Sequence, residues 1–219
     1  MARVAIILLV VGVAALVAAQ LAIPAFAEDR LADDLEVLGS RPAVDIDALP
    51  ALKLLWGRAD RVQLRFPRVS ILPVGLGDQL ARTEATEELD ARVERLIIAP
   101  VTLRDATLRK DGEALRVGAV AQEGELVSAL PEFLELRPVV GAGGDGLIFE
   151  GAAKAFGVRV ALRARLRGVD GRMVLGPDGR FGRCPSVTVF DDPRVRVESL
   201  AATPVEGGIE VAVEGRLTD

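Results

Sequence analysis

Turn signals recur along this chain between stretches in which apolar and polar residues alternate, and this combination constrains the fold more than any other feature. Asp111-Gly112 separates VTLRDATLRK from EALRVGAV, Asp170-Gly171 and Asp178-Gly179 flank RMVLGP, and Glu206-Gly207-Gly208 precedes IEVAVEGRL. Asp-Gly and Gly-Gly pairs reach the positive φ that a tight hairpin turn needs at little steric cost. Strands joined in this way predict an antiparallel sheet and not a series of βαβ units. In 158–167, Val158, Val160, Leu162, Ala164 and Leu166 alternate with Arg159, Ala161, Arg163, Arg165 and Arg167. That strand has one apolar and one basic face. The basic face suits either acidic cross-strand partners in a solvated surface or anionic lipid headgroups.

The stretch 42–66, PAVDIDALPALKLLWGRADRVQLRF, reads as strand, short helix, strand. Val44 and Ile46 alternate with Asp45 and Asp47. Pro50 opens a helix where a missing N–H costs little, and Gly57 closes it. Val62, Leu64 and Phe66 then alternate with Arg61, Gln63 and Arg65. Leu52, Leu54, Leu55 and Trp56 are more apolar surface than so short a helix can hide alone. It must cover a sheet, line a ligand cavity or touch a membrane. A long bent strand is expected from Glu87, broken near Pro100. A second short helix is expected over 123–131, with Leu126, Val127 and Leu130 on its apolar side, and FLELRPVV returns to strand. Residues 71–82, with Pro73, Gly75 and Gly77, read as a loop with one helical turn after Asp78.

The chain of 219 residues is half apolar, enough for one good core, and it has no His and a single Cys. Without His, Ser-His-Asp and Cys-His catalysis and most zinc sites drop out. Cys184 has no partner for an internal disulfide and reads as a small core residue. A net charge of −5 argues against nucleic acid as a partner. Gly141 to Gly146 matches G-x-G-x-x-G literally. The dinucleotide site needs a helix next, whereas LIFEGAAKAFGVRV reads as a hairpin, so the motif is a hairpin loop. Asp45, Asp47 and Asp60 lack calcium-loop spacing. No cofactor or metal is expected.

After Arg3, Val4 to Ala19 carries no polar side chain; Gln20 interrupts, and Leu21 to Ala27 resumes. As a helix this run is about 36 Å long, against a bilayer core of about 30 Å. Arg3 before it and Glu28-Asp29 after it orient the chain N-in, C-out. Ala25-Phe26-Ala27 also satisfies the small-x-small rule of a signal peptidase site. Residues 1–27 are thus a signal peptide or a signal-anchor transmembrane helix, and 28–219 an exported domain. Residues 28–39 are predicted helical, with Leu31, Leu35 and Leu38 on one face, either as a stalk or docked on the domain.

The order of several segments resembles the LmeA family of actinobacterial phospholipid-binding proteins. These are PAVDIDALPALKLLWGRADRV (42–62), LRDATLRKDGEAL (103–115) with GELVSALP (124–131), GLIFEGAAKAFGVRV (146–160), VDGRMVLGP (169–177) and VFDDPRVRV (189–197). The resemblance covers about 28–219. It implies an exported or membrane-anchored, non-catalytic domain of the cell envelope, related to the tubular lipid-binding folds. The expected fold is α+β and mainly β: an N-terminal membrane helix, then a curved antiparallel sheet with a few short helices enclosing an apolar groove. Leu52, Leu55, Trp56, Leu126, Leu130 and Phe133 are the candidate lining of that groove. Its ligand would be a phospholipid or glycolipid. The alternative is a scaffold or accessory subunit that partners an envelope enzyme and has no lipid pocket of its own.

Overall fold

The alternating stretches become strands and the turn signals become the joints between them. A computed structural model describes residues 20, 23–36, 39–70, 83, 85–98, 101–128, 134–139, 146–155, 158–178 and 186–218. A helix over 23–35 (α1) leads into β1 (Ala43–Asp47), a 3₁₀ helix (Ala51–Trp56), β2 (Ala59–Ser70), β3 (Thr86–Ile98), β4 (Val101–Asp111) and β5 (Ala114–Ala121). A short helix α2 (Glu123–Ser128) precedes β6 (Leu134–Val139), β7 (Leu147–Ala155), β8 (Val158–Val169) and β9 (Arg172–Pro177). The chain ends in β10 (Val187–Phe190), β11 (Val195–Val205) and β12 (Gly208–Leu217). The architecture is α+β and mainly β. The hairpin turns lie where Gly112, Asp170, Gly171 and Gly207 adopt positive φ. The G-x-G-x-x-G segment is followed by the β7–β8 hairpin and not by a helix. Residues 140–145 of that loop and Cys184 lie outside the described residues.

The expectation of one antiparallel sheet needs two corrections. The strands divide into a seven-stranded sheet, ordered β1-β2-β3-β4-β5-β12-β11, and a five-stranded sheet, ordered β10-β9-β8-β7-β6. Within the larger sheet β2 and β3 run parallel, with Val62 opposite Leu89 and Phe66 opposite Val93. A parallel pair cannot be joined by a tight hairpin and needs a crossover. The segment between Ser70 and Thr86 makes that connection, and the loop and helical turn expected at 71–82 lie outside the described residues. At the far end of the crossover the Lys110 ammonium, 4% exposed, donates to the carbonyl oxygens of Thr83 (3.1 Å) and Thr86 (2.6 Å). Buried charge is tolerated there because carbonyls receive it.

The main core lies between the two sheets. Leu136, Leu147, Phe149 and Ala164 of the smaller sheet meet Leu200, Ala202 and Ile209 of β11 and β12, with Leu126 of α2 packed against them. A second core lies under α1. Ala27 and Leu31 of the helix, with Leu54 of the 3₁₀ helix, pack on Ile46, Ala59, Val62 and Leu89. The helix expected at 28–39 is therefore docked on the domain, and it starts earlier than expected, with no break at Ala27. The edge strand β11 is stitched to the smaller sheet at two points: Gly146 N–H donates to Leu200 O (2.7 Å) and Val197 N–H to Gly171 O (2.9 Å). These bonds occupy backbone groups that an open edge would expose.

Gly146, the last glycine of the G-x-G-x-x-G segment, has φ +84°, and a Cβ there would lie 2.3 Å from the Leu166 carbonyl oxygen. Its role is close backbone approach. Gly146→Ala should destabilise the protein by about 2–4 kcal/mol, read as a lower urea midpoint at unchanged m-value. A loss below about 0.5 kcal/mol would show that the loop relaxes freely.

Candidate functional site

The 3₁₀ helix carries three of the six candidate residues, Leu52, Leu55 and Trp56. A 3₁₀ helix has three residues per turn, so positions i and i+3 eclipse. Ala51 and Leu54 accordingly face inward; Ala51 is buried and Leu54 joins the core under α1. Leu52 and Leu55 share the opposite side and are exposed, with Trp56 beside them. Leu49, just before the helix, is 76% exposed, Leu55 67% and Trp56 72%. The helix ends at Gly57 in the left-handed conformation, whose N–H donates to Leu54 O at 3.0 Å.

Polar bonds fix the helix from both sides. The Asp60 carboxylate accepts from Leu49 N–H (2.8 Å) and from Lys53 Nζ (2.7 Å), binding the entry and the middle of the segment to β2. On the other side, Gln20 accepts from Ala51 N–H (2.8 Å) and donates to Ala48 O (3.2 Å). Glu28 of α1 accepts from Ile46 N–H (3.0 Å). The segment that follows the apolar N-terminal run is thereby tied to the backbone that presents Leu52, Leu55 and Trp56. Gln20 is legible in the sequence as the polar residue that interrupts the run, but its partners are not.

Leu126 packs into the core between the sheets, and the structure does not bring it into the cluster that holds the 3₁₀ helix. Leu130 and Phe133 lie outside the described residues. Two surface concavities, of about 550 and 610 Å³, are lined mainly by charged residues and glycines, and among the described residues Leu52, Leu55, Trp56 and Leu126 do not line them. Asp60 is committed to Lys53 and the backbone. Among the described residues no group of His, Cys, Asp and Glu could hold a metal ion.

The basic face of β8 meets acidic partners. Arg159 pairs with Glu135 (2.6 Å), Arg163 with Glu150 (3.3 Å) and Asp178 (3.0 Å), and Arg165 with Asp178 (3.0 Å). Glu150 and Arg163 are direct cross-strand partners. This is the solvated, charge-balanced reading of that strand.

Compared with known proteins, the chain matches no family model, no curated protein and no solved structure.

The hydrogen bond from Lys53, with that from Leu49 N–H, holds the Asp60 carboxyl below its ordinary value. A depressed carboxylate stabilises the fold at pH values above its unfolded pKa and loses that contribution as pH falls through the folded value. Asp60→Asn should therefore unfold at lower urea than the parent at pH 7, with the gap closing below about pH 4. A gap that stays constant on acidification would show that the charge contributes nothing.

Proposed function

We propose that the chain is an exported, membrane-anchored, non-catalytic lipid-binding protein of the cell envelope, which holds the acyl chains of a phospholipid or glycolipid against its 3₁₀ helix. The observation that carries this reading is the exposure of Leu49, Leu52, Leu55 and Trp56 on a segment whose backbone is hydrogen-bonded to Gln20. Large apolar groups rarely stand together in water without a partner. Each methylene removed from water against them contributes about 0.8 kcal/mol, and Trp suits a site with one apolar and one wet side. The motif order that resembles the LmeA family supports the same ligand class. The absence of His from the sequence supports a binding role over catalysis.

Anchoring is supported by the 16 residues from Val4 to Ala19 without a polar side chain. Residues 1–19 and 21–22 lie outside the described residues, and no helix among the described residues is long and apolar enough to cross a membrane. Retention of the N-terminal segment is favoured because α1 runs through Ala25-Phe26-Ala27 and packs Ala27 on the domain. Cleavage after Ala27 would also remove Gln20 from the 3₁₀ helix. A C-terminal reporter that fluoresces only in the cytoplasm should stay dark, and the mature chain should have its full-length mass. A bright reporter overturns export; a mass beginning at Glu28 overturns anchoring.

The lipid site is tested on the full-length chain purified in a mild detergent. Native mass spectrometry should find phospholipid on the parent and none on a Leu55→Asp/Trp56→Ser variant. Both side chains are exposed, so the variant should keep its circular dichroism spectrum and lose less than about 1 kcal/mol of stability. A folded variant that still carries lipid removes the site from the 3₁₀ helix. A parent that carries no lipid, even after exposure to envelope lipids, leaves the scaffold role as the better account.

A further inference from the structure

We propose that Arg68, Arg95 and Arg104 form an anion site that takes a phosphate group, either free or as the headgroup of a lipid. In the larger sheet Arg68 of β2 lies directly opposite Arg95 of β3, and Arg95 directly opposite Arg104 of β4. Residues opposite one another project from the same face with their Cβ atoms about 5 Å apart. Three guanidinium groups thus share one row across three neighbouring strands. The row before it on that face is Phe66, Val93 and Ala106, so the arginines stand where the apolar part of the face ends.

Like charges directly opposite each other destabilise a sheet; these strands also set Arg65 opposite Arg92, but there a carboxylate, Asp90, pairs with Arg92. Arg61 has Glu88, and Arg92 and Arg109 share Asp90. Among the described residues no carboxylate pairs with Arg68, Arg95 or Arg104. The three side chains line a concavity of about 550 Å³ together with Pro67 and Glu94. Glu94 lines the same concavity without forming an ion pair to any of the three arginines.

The row is also positioned. With the Gln122 amide turned so that its oxygen faces Arg104, that oxygen accepts from Nη1 (3.2 Å) and Nη2 (3.1 Å). A neutral acceptor holds the guanidinium and leaves its charge uncompensated. Next to Arg104, Asp105 takes φ +49°, and the pairing of β4 with β5 shifts register between Arg104 and Thr107. Bulges of this kind re-aim side chains beside sites. A phosphate supplies the missing negative charge, and its oxygens match the planar donor fork of arginine. This inference does not rest on the lipid reading above.

The test follows thermal unfolding of the full chain in a non-ionic detergent. Sodium phosphate should raise Tm by about 2–4 °C over sodium chloride of equal ionic strength. Arg95→Gln should abolish that increment, yet without phosphate melt no lower than the parent, because it relieves repulsion within the row. Arg104→Gln should behave in the same way, whereas Arg61→Gln should keep the full phosphate response. Dihexanoylphosphatidylglycerol, kept below its micelle concentration, separates the two sources. Half-saturation at a tenfold lower concentration than inorganic phosphate assigns the site to a lipid headgroup, and an equal value assigns it to free phosphate. No phosphate-specific increment in the parent, or an increment that survives both Arg95→Gln and Arg104→Gln, overturns the site.

Discussion

The dry contact between the two sheets is the constraint on which the rest of the molecule depends. Neither sheet can hide its apolar face alone. The smaller one brings Leu136, Leu147, Phe149 and Ala164, and only β11 and β12 of the larger one answer them. Because β11 lies at the end of the larger sheet, the contact is made near that sheet's edge. Two backbone hydrogen bonds, from Gly146 to Leu200 and from Val197 to Gly171, then close the edge. The same contact leaves the far end of the larger sheet, β1 to β3, without a covering layer of strands. Helix α1 fills that place, which is why the second core draws on residues as early as Ala27.

Charge follows the same division. On β8, and at Arg61, Arg92 and Arg109, arginines meet carboxylates, some of them shared, and such exposed pairs each contribute little. Their effect is to keep like charges apart. At Arg68, Arg95 and Arg104 three arginines share one row across three strands. The juxtaposition of Arg68 and Arg95 comes from the parallel pairing of β2 with β3, which sets register independently of any hairpin turn, and that of Arg95 and Arg104 from the antiparallel β3–β4 pair.

Much of the local structure was legible in the sequence, and most of the long-range structure was not. Asp111-Gly112, Asp170-Gly171 and Gly207-Gly208 located hairpins correctly because positive φ is a local requirement, whereas Gly179 lies outside the described residues. Pro50 and Gly57 bracketed the 3₁₀ helix for the same reason. What the residues did not disclose was its three-residue period. That period sends Leu54 inward and Leu52 and Leu55 outward, so one apolar cluster in the sequence serves two purposes in space. The parallel β2–β3 pair was illegible because the connection between Ser70 and Thr86 carries the Pro and Gly of an ordinary loop. The arginine row became visible only with that register. Gln20 and Glu28 read as an interruption and a flanking charge; their hydrogen bonds to backbone some 20–30 residues away are tertiary facts.

Strand order has a consequence for the order of events in synthesis. β12 is inserted between β5 and β11, with Ile209 opposite Ala121 and Pro204. A chain made from its N-terminus completes the segments of β1 to β5 well before β12 exists. Through the whole production of the smaller sheet, β5 has one unpaired edge, a state that invites association with other chains. Closure then waits for a contact that spans nearly ninety residues, which is slow in proportion to the loop it must close. β12 is therefore a keystone: its arrival covers the open edges of β5 and β11 at once.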